Sequence, residues 1–242
     1  MTDLLSLQDL LSPQEWAALG LSLKVSLWAT AASFPFGVLV AWILARTRFW
    51  GHGLLNGVVH LPLVLPPVVV GYALLVVLGR NGLVGGWLYT AFGLSFAFTW
   101  KGAAIAAGVM AFPLLVRAMR LSLEAVDQDL EQAAQTLGAA PFRVFLTITL
   151  PLMLPGLITG CVLGFARALG EFGATITFVS NIPKETQTLP LALYTFTQTP
   201  GGEAGTLRLA VLAVIIALGA LMISEILARR LKRQNQGSRH DR

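Results

Sequence analysis

The chain has 242 residues, of which 55% are hydrophobic and 12% charged, and its mean hydropathy is +0.72. Soluble domains carry about 25% charged residues, so this composition excludes an ordinary soluble domain and identifies an integral membrane protein. A single cysteine, Cys161, rules out an internal disulfide; three histidines and few carboxylates outside loops leave little material for hydrolytic chemistry; and the net charge of +5 follows from membrane topology and calls for no nucleic-acid partner.

The first stretch, residues 1–14, contains Asp3 and Asp9, with no basic residue before Lys24. It lacks the positive leading region of a cleaved signal peptide and reads as mature sequence. Its leucines, Leu4, Leu5, Leu7, Leu10 and Leu11, fit a short interfacial segment or a disordered tail. Ser12, Pro13 and Glu15 then form a capping-box signature that opens the first helix.

About five apolar stretches reach the roughly 20 residues that a bilayer requires. They lie near Trp16–Ala45, Leu54–Leu78, Lys101–Met119, Val144–Leu169 and Thr206–Leu227. The predicted class is therefore an all-α integral membrane protein. Arg46, Arg48, Arg117, Arg120, Arg143, Arg229, Arg230 and the basic tail at 231–242 outnumber Lys24, Arg80, Lys101, Lys184 and Arg208 on the other side. By the positive-inside rule, the N-terminus lies outside, the tail is cytoplasmic, and the loop near 124–143 faces the cytoplasm.

Within the second span, Pro62, Pro66, Pro67 and Gly71 are crowded together. Such a helix is either broken to expose backbone along a pathway or kinked for packing. Asn56 and His60, four apart on it, fit a structural hydrogen bond or a polar pathway site.

The stretch from Asp127 to Pro155 interrupts the apolar pattern with dense charge. Asp127 or Asp129 caps a short helix, and Gly138 takes the left-handed position beyond its end. Leu130, Ala133, Ala134 and Leu137 repeat at three and four residues, giving one small apolar side. Ala140-Pro141 opens a second helix. The segment is either a solvated loop or a docking helix for a protein partner.

Further along, Arg167 and Glu171 form an i, i+4 pair near the outer end of the fourth span, either self-neutralising or available to an anion. Gly170 and Gly173 loosen the helix there, and Thr175, Thr177, Ser180 and Asn181 follow as neutral polar groups. From Pro183 to Gly205 a polar loop carries an amphipathic piece too short to span. No Gly-Lys-Ser/Thr phosphate loop occurs, so the chain does not hydrolyse ATP itself.

Two sets of residues carry a resemblance. The loop of ABC importer membrane subunits reads Glu-Ala-Ala, three residues, Gly, nine residues, Ile, one residue, Leu-Pro. Here Ala133-Ala134, Gly138, Ile148 and Leu150-Pro151 match every spacing, while Gln132 replaces the glutamate and Glu131 precedes it. The runs LPLVLPPVVVGYALLV, RVFLTITLPLMLPG, FARALGEFGATITFVSNIP and QTPGGEAG resemble the membrane subunit of molybdate ABC importers of Gram-negative bacteria, over residues 15–230.

This resemblance implies a type I importer permease fold in the bacterial inner membrane, crossing the lipid several times. The implied partners are a second copy of the chain, two cytoplasmic ATPase subunits and a periplasmic molybdate-binding protein. ATP and magnesium would bind the ATPase, and no cofactor would bind this chain. Glu131 to Ala134, Leu137, Gly138, Ile148, Leu150 and Pro151 become the ATPase-coupling loop. Asn56, His60, Arg167, Glu171 and Thr175 become pathway or gate candidates. Tungstate and sulfate permeases are related families, and a stand-alone channel or secondary transporter is the other class to test.

Overall fold

The computed structural model describes residues 11–237. Leu4, Leu5, Leu7 and Leu10 of the expected interfacial segment, and Arg239 and Arg242 of the tail, lie outside them. The described residues are helical, in this order: α1 (Pro13–Arg46), α2 (His52–Val64), α3 (Pro67–Leu78), α4 (Leu83–Phe92), α5 (Trp100–Glu124), α6 (Gln128–Thr136), α7 (Pro141–Val144), a π turn (Phe145–Thr149), α8 (Leu150–Leu169), α9 (Gly173–Val179), α10 (Leu189–Gln198) and α11 (Glu203–Gly237).

The local signals act as physical chemistry requires. Ser12 Oγ accepts from the Glu15 N–H at 3.3 Å while Glu15 Oε2 accepts from the Ser12 N–H at 2.6 Å, which closes the capping box of α1. Thr99 caps α5 by accepting from the Gly102 N–H. Before α8 the ladder widens: the Leu150 N–H bonds to the Phe145 carbonyl, one residue further back than in an α-helix. Pro151 follows immediately and has no N–H to continue the regular pattern, a common setting for a π turn.

Of the two readings of the span Leu54–Leu78, the structure shows the broken one. α2 and α3 meet at 114° around Leu65-Pro66. Pro66 and Pro67 both lack an N–H, and each disfavours helical backbone in the residue before it, so the helix stops at Val64 and restarts at Pro67 in a new direction. The last span also exceeds its predicted end, since α11 continues through residues 228–237 and takes in the first part of the predicted tail.

Helix α5 is the centre of the bundle, with most of its membrane stretch buried, whereas α11 is almost entirely exposed on the outside. α1 and α5 run in the same direction. Lys24 Nζ sits 3.7 Å from the Trp100 ring centre, and Gly37 faces Leu115 so closely that an added Cβ would lie 2.0 Å from its side chain. Two parallel neighbours require the intervening chain to recross the bundle, so α2 and α3 with α4 together make that crossing. α8 runs antiparallel to α5, with Gly156 against Ser122 and Gly164 against Leu115. α11 starts beside the start of α1, where Arg208 donates to the fully buried Glu15 at 3.0 Å. The result is about five crossings, with α5 at their centre, as many as the apolar pattern predicts.

Candidate functional site

Helix α6 stands out because it is short, polar and without a buried residue. Asp127 provides its cap, the Asp129 N–H donating to Asp127 Oδ1 at 2.9 Å, which decides between the two predicted caps. At the far end Gly138 has φ +88°, its N–H bonds to the Gln135 carbonyl and the Ala139 N–H to the Ala134 carbonyl. This double closure is a Schellman stop, and it fixes where the helix ends.

The faces of α6 are unequal. Leu130, Gln132, Ala133 and Leu137 are exposed, Leu137 at 89%. Ala134 is half-buried. Glu131 points the other way, towards its own membrane helices, where Arg46 and Thr149 donate to it. Of the remaining loop residues, Ile148 and Leu150 are half-buried and Pro151 is exposed. An exposed row of Leu130, Ala133 and Leu137, small in the middle and bulky at both ends, is shaped to press into a groove.

The pathway candidates fall into two separate groups. Near the Arg46 end of the bundle, His60 Nδ1 lies 2.8 Å from the Asn56 carbonyl, while the Asn56 side chain accepts from Arg120 at 3.0 Å. Asn56 and His60 therefore do not pair side chain to side chain; the Asn56 amide ties α2 to α5 instead. Arg120 also pairs with Glu124 at 2.7 Å, and both border a polar cavity of about 460 Å³ with Arg48 and His52.

At the α8–α9 junction, Arg167 and Glu171 form the expected ion pair at 2.7 Å. The second oxygen of Glu171 accepts from the Ala174 N–H at 2.7 Å, so this buried carboxylate also caps α9 where Gly170 ends α8. The Thr175 hydroxyl is buried and donates to the carbonyls of Glu171 and Phe172. The Arg167 side chain is 26% exposed and that of Glu171 1%, which leaves Arg167 the accessible charged group of the pair. No hydrogen bond or ion pair among the described residues joins this cluster to the Asn56–His60 group.

Sequence reading missed Arg46, Thr149 and Arg120 as site residues and used the two arginines only for topology. Their partners lie 85, 18 and 64 positions away, beyond any local pattern. The usable signal was electrostatic: arginines at the ends of apolar helices, opposite a loop rich in carboxylates.

Several crossings around a buried central helix, with one short exposed helix on a loop at one end, define a multi-pass membrane protein of the permease class. The chain belongs to the family of binding-protein-dependent transport system inner membrane components, whose model matches residues 33–233. It is 61% identical over 228 residues to the molybdenum transport system permease protein ModB of Escherichia coli K12, spanning 94% of this chain and 99% of that one. It is 60% identical to the ModB of Haemophilus influenzae, over 93% and 98% of the two chains. The sulfate transport system permease protein CysT of Escherichia coli is 36% identical over 89% of this chain and 76% of its own. Among solved structures, a bacterial ABC transporter involved in alginate import shares the fold with a TM-score of 0.71 at 18% identity, covering 91% of this chain and 80% of that one. The MetNI methionine ABC transporter does so at 0.65 and 16%, over 96% and 99%.

Proposed function

We propose that this chain is the permease subunit of an ABC importer that carries molybdate across the inner membrane, driven by ATP hydrolysis on a separate subunit. The observation that carries this reading is near-full-length identity with two ModB permeases. The exposed row on α6 supports the mode of coupling, since it offers a docking surface and no catalytic group. Two copies of the chain, two cytoplasmic ATPase subunits and a periplasmic molybdate-binding protein make up the proposed assembly.

In this reading α6 seats in a groove of the ATPase, with Gln132 beside that contact in place of the expected glutamate. ATP binding then shifts the permease between inward-open and outward-open states, and only by the difference in affinity for the two. At the other end, Lys184 and Arg208 border a cavity of about 690 Å³ between the starts of α1 and α11, which suits docking of the binding protein. Arg167, partly exposed at the α8–α9 junction, is the proposed contact for a passing oxyanion. Ordinary pairing with Glu171 keeps it from holding the anion tightly, as a pathway requires.

ATP-dependent uptake of labelled molybdate into proteoliposomes tests this, using the chain with its ATPase and binding protein and with sulfate and tungstate as competitors. Uptake that needs all three proteins and is blocked best by molybdate or tungstate supports the proposal. Best competition by sulfate moves the chain to the sulfate class. Uptake by the chain alone makes it a channel or secondary transporter.

A further inference from the structure

A docking helix without a buried side has little to push against. α6 has nine residues and none of them is buried, so hydrophobic packing does not hold it to the membrane helices. Among the described residues, only one of its side chains bonds to another helix, and that is Glu131. Its Oε1 accepts from Arg46 Nη2 at the end of α1, at 3.1 Å, and from the Thr149 hydroxyl at the end of the π turn, at 2.6 Å. Arg46 Nη2 also donates to the Val126 carbonyl, at 3.3 Å, just ahead of α6.

The environment makes these bonds effective. The side chains of Arg46 and Glu131 are 10% and 17% exposed, and Thr149 is buried. A shielded carboxylate with two donors is held far better than an exposed ion pair, and it loses much more if one partner is removed. One oxygen thus joins α6 to the end of α1 and the start of α8, while Arg46 also holds the approach to α6. Because successive residues are about 100° apart on a helix, aiming Glu131 inward also turns Leu130, Ala133 and Leu137 outward.

With α6 as the docking helix proposed above, we infer that Glu131, Arg46 and Thr149 form a latch that carries ATPase motion into α1 and α8. Glu131 is a positioning residue in this arrangement, and the neighbouring Gln132 is the one that faces the partner. The latch sets the rotation of α6 and makes it move with two membrane-crossing helices as one body. Without it, α6 stays docked while the membrane helices stop following.

The test is molybdate uptake per ATP hydrolysed, measured on the full complex in proteoliposomes, together with co-purification of the ATPase. In Glu131→Gln the ATPase stays bound and hydrolyses ATP, while uptake per ATP falls about tenfold, the scale of one lost charge-assisted hydrogen bond. Thr149→Val keeps both charges and gives a smaller fall in the same ratio. Exchanging the pair, Arg46→Glu with Glu131→Arg, recovers part of the loss, which neither exchange does singly, the rest being the bond from Arg46 to the Val126 carbonyl. Unchanged uptake per ATP in both Glu131→Gln and Thr149→Val overturns the latch. So does loss of ATPase binding in Glu131→Gln with normal binding in Gln132→Ala, since Glu131 would then be the partner contact. Retained ATPase binding and coupling in Leu137→Ser removes the docking surface itself, and that result separates failure of the docking reading from failure of the latch.

Discussion

Gly138 holds the end of α6 at φ +88°, and an added Cβ would meet nothing within 4 Å. The cost of a substitution there is therefore conformational, about 1–2 kcal/mol for a non-glycine residue in the left-handed region. Gly138→Val should fray the end of α6, lowering both retained ATPase and molybdate uptake while the amount of chain in the membrane stays the same. Immunoblotting of the purified complex beside an uptake assay checks this. Glu15 makes a contrasting case at the other end of the bundle. It is fully buried, caps α1 through Ser12 and pairs with Arg208, whose side chain is 47% exposed and stays solvated if the pair is broken. Glu15→Ala should cost about 1–2 kcal/mol, mostly from the cap, and lower the melting midpoint in detergent. Glu15→Gln should recover part of that loss, because an amide oxygen still accepts from the Ser12 N–H.

Residues at this scale were the most legible in the chain. Ser12, Asp127, Gly138 and Pro141 act on backbone groups within four positions, so their effect is contained in a short window of sequence. The partners of Glu131 and Asn56 depend on which helices become neighbours, and no window contains that.

At the scale of elements, the α5–α8 contact is set by glycines four apart, Gly156, Gly160 and Gly164. An added Cβ at Gly160 would lie 3.1 Å from the Leu115 carbonyl, and one at Gly156 would lie 2.0 Å from Ser122. Small residues at helical spacing let two backbones approach inside a membrane, where close packing replaces the hydrophobic drive. Gly160→Leu should force α8 off α5 at a cost of about 1–3 kcal/mol or more. Gly219→Ala, inside the exposed α11 with nothing within 4 Å of the added atom, should cost nothing and raise stability by up to about 1 kcal/mol. Thermal melting of the two variants in detergent makes the comparison. The bend between α2 and α3 was readable from Pro66 and Pro67 as a break, but its 114° angle was not. That angle follows from what α3 packs against: Gly71 meets the Ala174 backbone of α9 within 2.5 Å of an added Cβ, so α3 lies where α9 leaves room.

For the whole molecule, the alternation of crossings makes an orientation experiment decisive. In a Cys161→Ser background, single cysteines at Gln132 and Lys184 sit on exposed positions at the two ends. The excess of arginines near α6 predicts that Lys184→Cys reacts with a membrane-impermeant maleimide in spheroplasts. Gln132→Cys should react only after permeabilisation. Labelling in the reverse order would invert the molecule and remove α6 from reach of a cytoplasmic ATPase.

Composition and short-range pattern by themselves determined the class of this protein, the number of apolar crossings, the capping box that starts α1, and the glycine stop of the short polar helix α6. Each of these depends on apolar length or on backbone groups close in sequence. Only the tertiary structure decided that Glu131 turns inward to Arg46 and Thr149, that Asn56 ties α2 to α5, and that Glu171 is spent on Arg167 and the start of α9. Those pairings arise when distant helices pack at the spacing their glycines allow, and a buried polar group then bonds to whatever partner that packing has brought within reach.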